Sequence, residues 1–259
     1  MLPDLVTTWE PRSYLQFAEV RFRAGLDLLE RIPPGDYRQI YDLGCGTGHL
    51  TRVLAGRFPG ASVTGVDSSP EMLGDARREF PEISWVQADI AAWHPNAPAD
   101  LLFSNAALQW LPAHETLLPA LLQLVRPGGV LAVQVPRNFD SPAHLALKQL
   151  AHEPEWRDKL ASAVMPQVPS PEQCWKWLSP LAAKLDIWET IYLQALDGEN
   201  PVADYLKGTA LRPFLTALSE QDGARFFAAF AQRAAAAYHS QPGGKTLFPF
   251  RRLFVVAQR

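Results

Sequence analysis

Residues 40–48, Ile-Tyr-Asp-Leu-Gly-Cys-Gly-Thr-Gly, carry the signal from which the fold of this chain is best predicted. An apolar strand runs into three glycines spaced two apart, and a helical pattern follows from His49 to Phe58. Glycines let the chain turn sharply and let backbone N–H groups approach a ligand. A dinucleotide-binding GxGxxG loop would need a glycine at position 49, which is His. GxGxG after the acidic Asp42 instead favours a nucleoside that carries an amino acid, with a plain strand-to-helix turn as the alternative.

Strands and helices alternate outward from this loop, which predicts a parallel sheet with helices on both faces. Ser69 before Pro70 predicts the start of a helix, because serine caps helix N-termini and proline suits the first helical position. The predicted strands are 39–43, 61–67, 83–87, 100–104, 130–135, 185–194 and 247–257. The predicted helices are 12–31, 49–58, 70–79, 114–125, 142–151, 171–178, 201–206, 214–218 and 219–238.

Composition excludes several classes of protein. The chain has 259 residues, 47% of them hydrophobic and 20% charged, with 24 basic and 27 acidic side chains. This balance argues against a disordered chain and against a general nucleic-acid or membrane-surface binder. From Pro201 onward, however, the chain contains eight basic side chains and only three acidic ones. This excess suggests a local anion site, with solvated surface charge as the alternative. Without a signal peptide or a spanning segment, a cytoplasmic location is expected.

Polar residues follow the other predicted strands at the edge where ligands of such sheets bind. Asp67 ends the second strand, where a carboxylate can accept from both hydroxyls of a ribose. Asp89 follows the third strand and either accepts from an adenine amino group or serves a simple turn. Met72 is placed to pack on the nucleoside, and Asn105 ends the fourth strand.

With these residues, 40–135 resembles the class I S-adenosylmethionine-dependent methyltransferases. Further stretches resemble the trans-aconitate 2-methyltransferase family over nearly the whole chain: 9–17, 67–72, 105–111 (Asn-Ala-Ala-Leu-Gln-Trp-Leu), 208–213 and 250–254. The resemblance implies a Rossmann-like, doubly wound sheet of seven mostly parallel strands with the last strand antiparallel, plus a helical cap. It also implies a cytoplasmic enzyme that uses S-adenosyl-L-methionine, releases S-adenosyl-L-homocysteine and esterifies one carboxylate of trans-aconitate.

The resemblance and the residue patterns together predict the organisation of the chain. Residues 1–36 form a helical segment over the cofactor, 37–199 and 245–259 form the core, and 200–244 with part of 137–183 caps the acceptor site. The predicted cofactor-binding residues are Trp9, Arg21, Asp42, Gly44, Cys45, Gly46, Gly48, Asp67, Ser68, Met72, Ala88, Asp89, Ile90, Asn105 and Ala106. The predicted acceptor-binding residues are Tyr14, Phe17, Trp110, Gln134, Asn138, Arg212, Arg251 and Arg252.

The arginines suit an anionic acceptor, because a guanidinium matches a carboxylate with two parallel hydrogen bonds. Of Arg251 and Arg252, only one should point into the site, since neighbouring strand residues face opposite sides. On the first helix, Arg21 should face the active site and Arg23 should not, because Arg21 aligns with Tyr14 and Phe17 at helical spacing.

Other chemistries are less well supported. Cys45 at a helix N-terminus resembles a nucleophile, but no His or Asn is patterned to serve it. The six histidines show no ligand spacing, so no metal is expected. A carboxylate needs no general base to attack a methyl group, so no catalytic residue beyond positioning is expected. The alternatives are another small di- or tricarboxylic acid, a carrier-bound acid, an NAD-dependent oxidoreductase or a cofactor-binding regulatory module. The chain is expected to be a monomer or weak dimer.

Overall fold

The computed structural model describes residues 20–163, 165 and 167–259, with side chains from Phe22 onward. Seven strands form one sheet in the order β3-β2-β1-β4-β5-β7-β6. The strands are β1 (Gln39–Leu43), β2 (Ser62–Asp67), β3 (Ser84–Gln87), β4 (Ala99–Asn105), β5 (Val125–Pro136), β6 (Lys184–Leu196) and β7 (Thr246–Gln258). The predicted seven-stranded doubly wound sheet is confirmed.

Strand directions follow from the pairing. β1 pairs in parallel with β2 and β4, β2 with β3, and β4 with β5. β7 runs the other way, because the Gly128 N–H donates to the Arg259 carbonyl at one end while the Arg137 N–H donates to the Arg251 carbonyl at the other. The last strand is therefore antiparallel, as predicted. The strand order reverses between β1 and β4, so the carboxyl ends of these two strands border the crevice where such sheets bind ligands.

Nine helices are present in the described part of the chain. The bounds of the last eight lie close to the predicted ones, whereas the predicted start of the first helix, at residue 12, lies outside the described residues. The helices are α1 (Val20–Glu30), α2 (His49–Arg57), α3 (Pro70–Glu79), α4 (His114–Leu124), α5 (Pro142–Ala151), α6 (Pro171–Leu178), α7 (Pro201–Lys207), α8 (Arg212–Ala217) and α9 (Glu220–Ala237). The Ser69 hydroxyl accepts from the Met72 N–H at 3.2 Å, with Pro70 at the first helical position, so the predicted cap of α3 is confirmed.

One predicted strand boundary is wrong, because β5 begins at Val125 and not at residue 130. Arg126 to Gly129 lies inside β5 rather than between a helix and a strand. The reason is a partner distant in sequence: the Gly128 N–H donates to the Arg259 carbonyl at 2.8 Å, and the Arg259 N–H donates to the Gly129 carbonyl at 3.0 Å. Arg126 also forms an ion pair with Asp100. The end of the chain thus extends the strand through two glycines that locally favour a turn.

The chain divides into two compact units. The first takes in residues up to 135, 169–188 and 253–259, and the second takes in 136–168 and 189–252. The first unit contains β1 to β4 and buries residues such as Ile40, Leu43 and Leu101 completely. The second packs helices α5, α7, α8 and α9 around Phe226, Phe230 and Phe248. The predicted boundaries of the N-terminal segment, core and cap stay a prediction.

Among the described residues, no helix is both long enough and apolar enough to cross a membrane.

Candidate active site

The glycine loop between β1 and α2 is held against the end of β2. The Gly44 and Cys45 N–H groups both donate to the Val66 carbonyl, at 2.7 and 3.1 Å. The Gly46 N–H donates to Oδ2 of Asp67 at 2.8 Å. Gly46 has φ +57° and Gly48 φ +83°, the left-handed region that side chains other than glycine rarely adopt. The loop therefore keeps a fixed shape in which its backbone borders the crevice.

A cavity of about 250 Å³ opens beside this loop. Six predicted cofactor-binding residues line it: Asp42, Gly44, Cys45, Gly46, Met72 and Asn105. Sequence reasoning missed four further lining residues, Phe22, Thr47, His49 and Leu50. The rings of Phe22 on α1 and His49 on α2 lie with their centroids 5.7 Å apart. Because this contact joins two helices, the sequence pattern indicated only that each residue belongs to a helix.

Asp42 is a buried carboxyl in the wall of the cavity. It is 2% exposed, and its Oδ2 accepts from the Thr51 hydroxyl at 2.7 Å. Burial raises the pKa of Asp42 to about 7, against the effect of the Thr51 hydrogen bond and with a smaller contribution from the nearby Asp67 charge. The cavity therefore contains an acid whose ionisation is sensitive to any cation that enters.

Asp67 uses both carboxylate oxygens locally. Oδ2 accepts from the Gly46 N–H, and Oδ1 accepts from the Ser69 N–H at 2.9 Å. Each carboxylate oxygen has a second lone pair, so the group can still accept from a ligand hydroxyl. Asp67 thus connects the glycine loop to the turn that precedes α3, a role the spacing of the sequence did not reveal.

Trp85 packs against the glycine loop, and the sequence analysis did not predict it as a site residue. A methyl group built on Gly48 or Gly65 would come within 2.3 Å of the Trp85 ring. The Trp85 indole N–H donates to the Phe80 carbonyl at 3.1 Å, which fixes the ring. A glycine inside a strand often marks close approach of another group, so Gly65 within β2 was the available signal.

Four predicted cofactor-binding residues that follow β2 and β3 are more peripheral in this structure. Asp89 is exposed, and its Oδ1 accepts from the Ala91 N–H at 2.9 Å, as in a simple turn. Ser68 is exposed, and Ala88 is half-buried. Ile90 lies 3.6 Å from the position of a Cβ on Gly44, so its side chain reaches the loop. None of these four is among the residues that line the cavity.

The chain turns abruptly after β4. Ala106 has φ +56°, a strained conformation for alanine. Its N–H donates to the Gln134 carbonyl at 2.9 Å, and its carbonyl accepts from the Gln109 amide at 2.6 Å. This turn brings Ala107 so close to the loop that a Cβ on Gly44 would lie 2.1 Å from the Cβ of Ala107.

The predicted acceptor residues differ in their surroundings. The Asn138 amide donates to the Pro249 carbonyl and accepts from the Arg251 N–H, which gives Asn138 a structural role in the second unit. Arg251 pairs with Asp140 at 3.2 Å. Arg252 is buried, with its guanidinium 4.3 Å from the Phe250 ring centroid. Arg212 is exposed and makes no side-chain ion pair with the part of the chain that the structure describes.

In the first unit, Trp110 is 54% exposed, and Gln134 is fully buried. Four predictions lie outside the described side chains: Trp9, Tyr14, Phe17 and Arg21. Arg23 is exposed on α1.

Cys45 does not have the properties of a nucleophile. Burial, followed by the charges of Asp42 and Asp67, raises the pKa of its thiol. A reactive cysteine needs a lowered pKa, so the thiol is a small packing group in the loop. Within the described residues, no group of three or more His, Cys, Asp or Glu side chains could hold a metal ion.

The sequence of this chain is similar to those of known methyltransferases. A family model described as a methyltransferase domain matches residues 40–129, the segment that carries the loop and the first four strands. A trans-aconitate 2-methyltransferase from Azoarcus sp. (strain BH72) is 46% identical over 254 residues, covering 97% of this chain and 99% of the relative. One from Methylobacterium nodulans is 43% identical over 253 residues, covering 97% and 98%.

Solved structures with low sequence identity share the fold. The phosphoethanolamine N-methyltransferase 2 of Haemonchus contortus in complex with S-adenosyl-L-methionine is 16% identical, with a TM-score of 0.56, covering 92% of this chain and 52% of that chain. The YcgJ protein from Bacillus subtilis is 13% identical, with a TM-score of 0.56, covering 90% and 96%.

Proposed function

The chain belongs to the trans-aconitate 2-methyltransferase family, and we propose on this basis that it transfers a methyl group from S-adenosyl-L-methionine to one carboxylate of trans-aconitate. The product is the monomethyl ester, with S-adenosyl-L-homocysteine as the second product. The observation that carries the proposal is the cavity at the carboxyl ends of β1 and β4, bordered by the GxGxG loop and by Asp42, Met72 and Asn105.

The residues present fit this cofactor. A Cβ on Gly46 would meet none of the described residues within 4 Å, so this part of the chain leaves open space directly against the loop backbone. The carboxyl groups of Asp42 and Asp67 suit a ligand with a positive charge and ribose hydroxyls. Met72 is 43% exposed at the cavity and offers an apolar contact for a flat base. We assign Asp67 to the ribose, Met72 to the adenine and the loop with Asp42 to the amino-acid part.

When bound, S-adenosyl-L-methionine supplies an electrophilic methyl group on a positively charged sulfur, which becomes a neutral thioether after transfer. The task of this chain is then to position the acceptor. A carboxylate is already ionised at neutral pH, so no side chain has to remove a proton. Holding its oxygen in line with the methyl group, at about 3 Å, can lower the barrier by about 7–11 kcal/mol. No acid–base residue is therefore assigned.

The acceptor is a small anionic carboxylic acid, and its spare carboxylates need cationic partners. Arg212 is the best candidate, because its guanidinium is exposed and makes no ion pair among the described residues. Arg251 is a second candidate and would exchange its exposed partner Asp140, since exposed pairs of this kind contribute little. We keep Arg252, Tyr14, Phe17 and Trp110 as further candidates.

A methyl-transfer screen tests the proposal. Purified protein and S-adenosyl-L-methionine are incubated with trans-aconitate, its cis isomer, citrate and a series of dicarboxylic acids, and esters are detected by mass spectrometry. We expect trans-aconitate to give the highest kcat/KM and one methyl ester per molecule. Turnover of another acid in its place would change the substrate assignment, and binding of S-adenosyl-L-homocysteine without any ester would remove the enzymatic assignment.

A further inference from the structure

Three side-chain amides at the ends of β4 and β5 form a group that we call the carboxamide cluster: Asn105, Gln109 and Gln134. Gln134 is fully buried, and neither its amide nitrogen nor its amide oxygen has a hydrogen-bond partner among the described residues. The amide oxygens of Asn105 and Gln109 are likewise buried, with no partner in the part of the chain that the structure describes. Buried polar groups are nearly always hydrogen-bonded, so each exception requires an explanation.

The cluster lies on the cavity side of the sheet. Asn105 and Gln134 are direct partners in the parallel ladder of β4 and β5, so their side chains project from the same face. Asp42 of β1 is opposite Phe103, two residues before Asn105, so it shares that face. Asn105 itself lines the cavity, and Gln134 follows it on the next strand. Gln134 does not line the cavity itself, but it is the same-face neighbour of a side chain that does.

The backbone around the cluster is already fixed. The Ala106 N–H is bonded to the Gln134 carbonyl, and the Gln109 amide nitrogen is bonded to the Ala106 carbonyl. The position of a Cβ on Gly25 lies 3.2 Å from Cγ of Asn105, so α1 packs close to that side chain. The orphan amides are thus held in a constrained setting, which is the arrangement expected of preorganised ligand donors.

We propose that Gln134 and Asn105 bind the reacting carboxylate of the acceptor through their amide N–H groups, an inference that rests on the proposed methyl transfer. Rotation of the terminal amide exchanges its nitrogen and oxygen, so both side chains can present N–H groups to the cavity. Gln134 and Asn105 touch the reacting group and determine its orientation, while arginines hold the spare carboxylates.

Neutral donors suit the reacting group for a chemical reason. A lone pair of the carboxylate oxygen forms the new O–C bond, while the C–S bond breaks and its electron pair remains on sulfur. No proton is transferred. A guanidinium on the same oxygen would stabilise its negative charge strongly and make it a weaker nucleophile, whereas an amide N–H orients the oxygen with a weaker electrostatic effect.

The test is Gln134→Met, which keeps the size of the side chain and removes its polar atoms. For wild type and variant we measure the melting temperature, the Kd of S-adenosyl-L-homocysteine and the steady-state kinetics with trans-aconitate. We expect an equal or higher melting temperature, because an unpaired buried amide is replaced by an apolar group. We also expect a Kd within about twofold and a kcat/KM about 10- to 100-fold lower, chiefly through kcat.

Gln194→Met is the matched control. Gln194 is a buried glutamine of the second unit. Its amide nitrogen donates to the Tyr205 hydroxyl at 2.9 Å, and its oxygen has no partner within the described ranges. Its substitution should lower the melting temperature, because a hydrogen bond is lost, and should leave kcat/KM within about twofold. The two variants therefore separate the loss of a ligand contact from a general effect of removing a buried amide.

Gln134→Glu gives a second readout. An ionised glutamate repels the acceptor, whereas a protonated one again offers a donor, so activity relative to wild type should recover as the pH falls. Wild-type kcat/KM in Gln134→Met would overturn the inference, as would a large loss of S-adenosyl-L-homocysteine binding, which would assign the cluster to the cofactor. If wild type esterifies no carboxylic acid, the proposed function fails instead, and the two failures are distinguished in one experiment.

Discussion

Substitution of Asp67 by asparagine tests whether one carboxylate organises the cofactor site. In the structure, Asp67 accepts from the Gly46 N–H at 2.8 Å and from the Ser69 N–H at 2.9 Å. Asparagine keeps the shape but replaces one acceptor oxygen by a donor, which then faces a backbone N–H. The contact proposed between Asp67 and the ribose is a hydrogen bond to a charged group, which contributes about 1.5–3 kcal/mol. We therefore expect the Kd of S-adenosyl-L-homocysteine to rise about 10- to 150-fold.

The assay is isothermal titration calorimetry of S-adenosyl-L-homocysteine, with thermal unfolding of each variant measured in parallel. Asp36→Asn is the control, because Asp36 is exposed, precedes the amino end of β1 and accepts from the Arg38 side chain through Oδ2. We expect it to change the Kd less than threefold. An unchanged Kd in Asp67→Asn would refute the assignment of Asp67, and an equal loss in Asp36→Asn would show that the effect is not specific to that carboxylate.

Three further predictions follow from the same geometry. Gly65→Ala should destabilise the fold by about 1–3 kcal/mol, because its methyl group would overlap Trp85. Gly74→Ala in α3 should stabilise the fold by about 0.5–1 kcal/mol, because its methyl group would meet no described residue. Chemical denaturation measures the free energy of unfolding of both variants. Burial raises the pKa of Asp42 to about 7, so the folded chain holds a proton that the unfolded chain releases near pH 4. The free energy of unfolding of wild type relative to Asp42→Asn should therefore fall by about 2 kcal/mol between pH 5 and pH 7, as urea unfolding would show. Arg212→Ala should raise KM for the acceptor about tenfold and leave the Kd of S-adenosyl-L-homocysteine unchanged, since Arg212 is proposed to hold a spare carboxylate; an unchanged KM contradicts that role.

Local features of the fold were readable in advance because they depend on neighbours in the chain. The alternation of strands and helices, the left-handed glycines at 46 and 48, and the Ser69 cap of α3 all follow from side-chain periodicity and backbone conformational preference. The position of the crevice followed as well, because a glycine loop after the first strand and polar residues after its neighbours converge at one edge of a parallel sheet.

Long-range partners were not readable in this way. Arg126 to Gly129 reads locally as a turn and becomes strand only because Arg259 pairs with it. The sequence places Asn138 at the end of the fifth strand, but it does not reveal that the Asn138 amide bonds to Pro249 and Arg251, more than a hundred residues away. Trp85 reads as a strand residue until Gly48 and Gly65 are seen to make room for its ring.

In the candidate site, too, local features could be predicted from the sequence and long-range contacts could not. Composition and spacing placed Asp42, Asp67 and Asn105 at strand ends. Only the folded sheet shows that Asp42 is buried beside Thr51 and that no described residue bonds to the Gln134 amide. Burial and hydrogen-bond satisfaction depend on which strands are neighbours and in what register. Those quantities arise from non-local packing, because the periodicity of a strand states which residues share a face but not which groups they meet there.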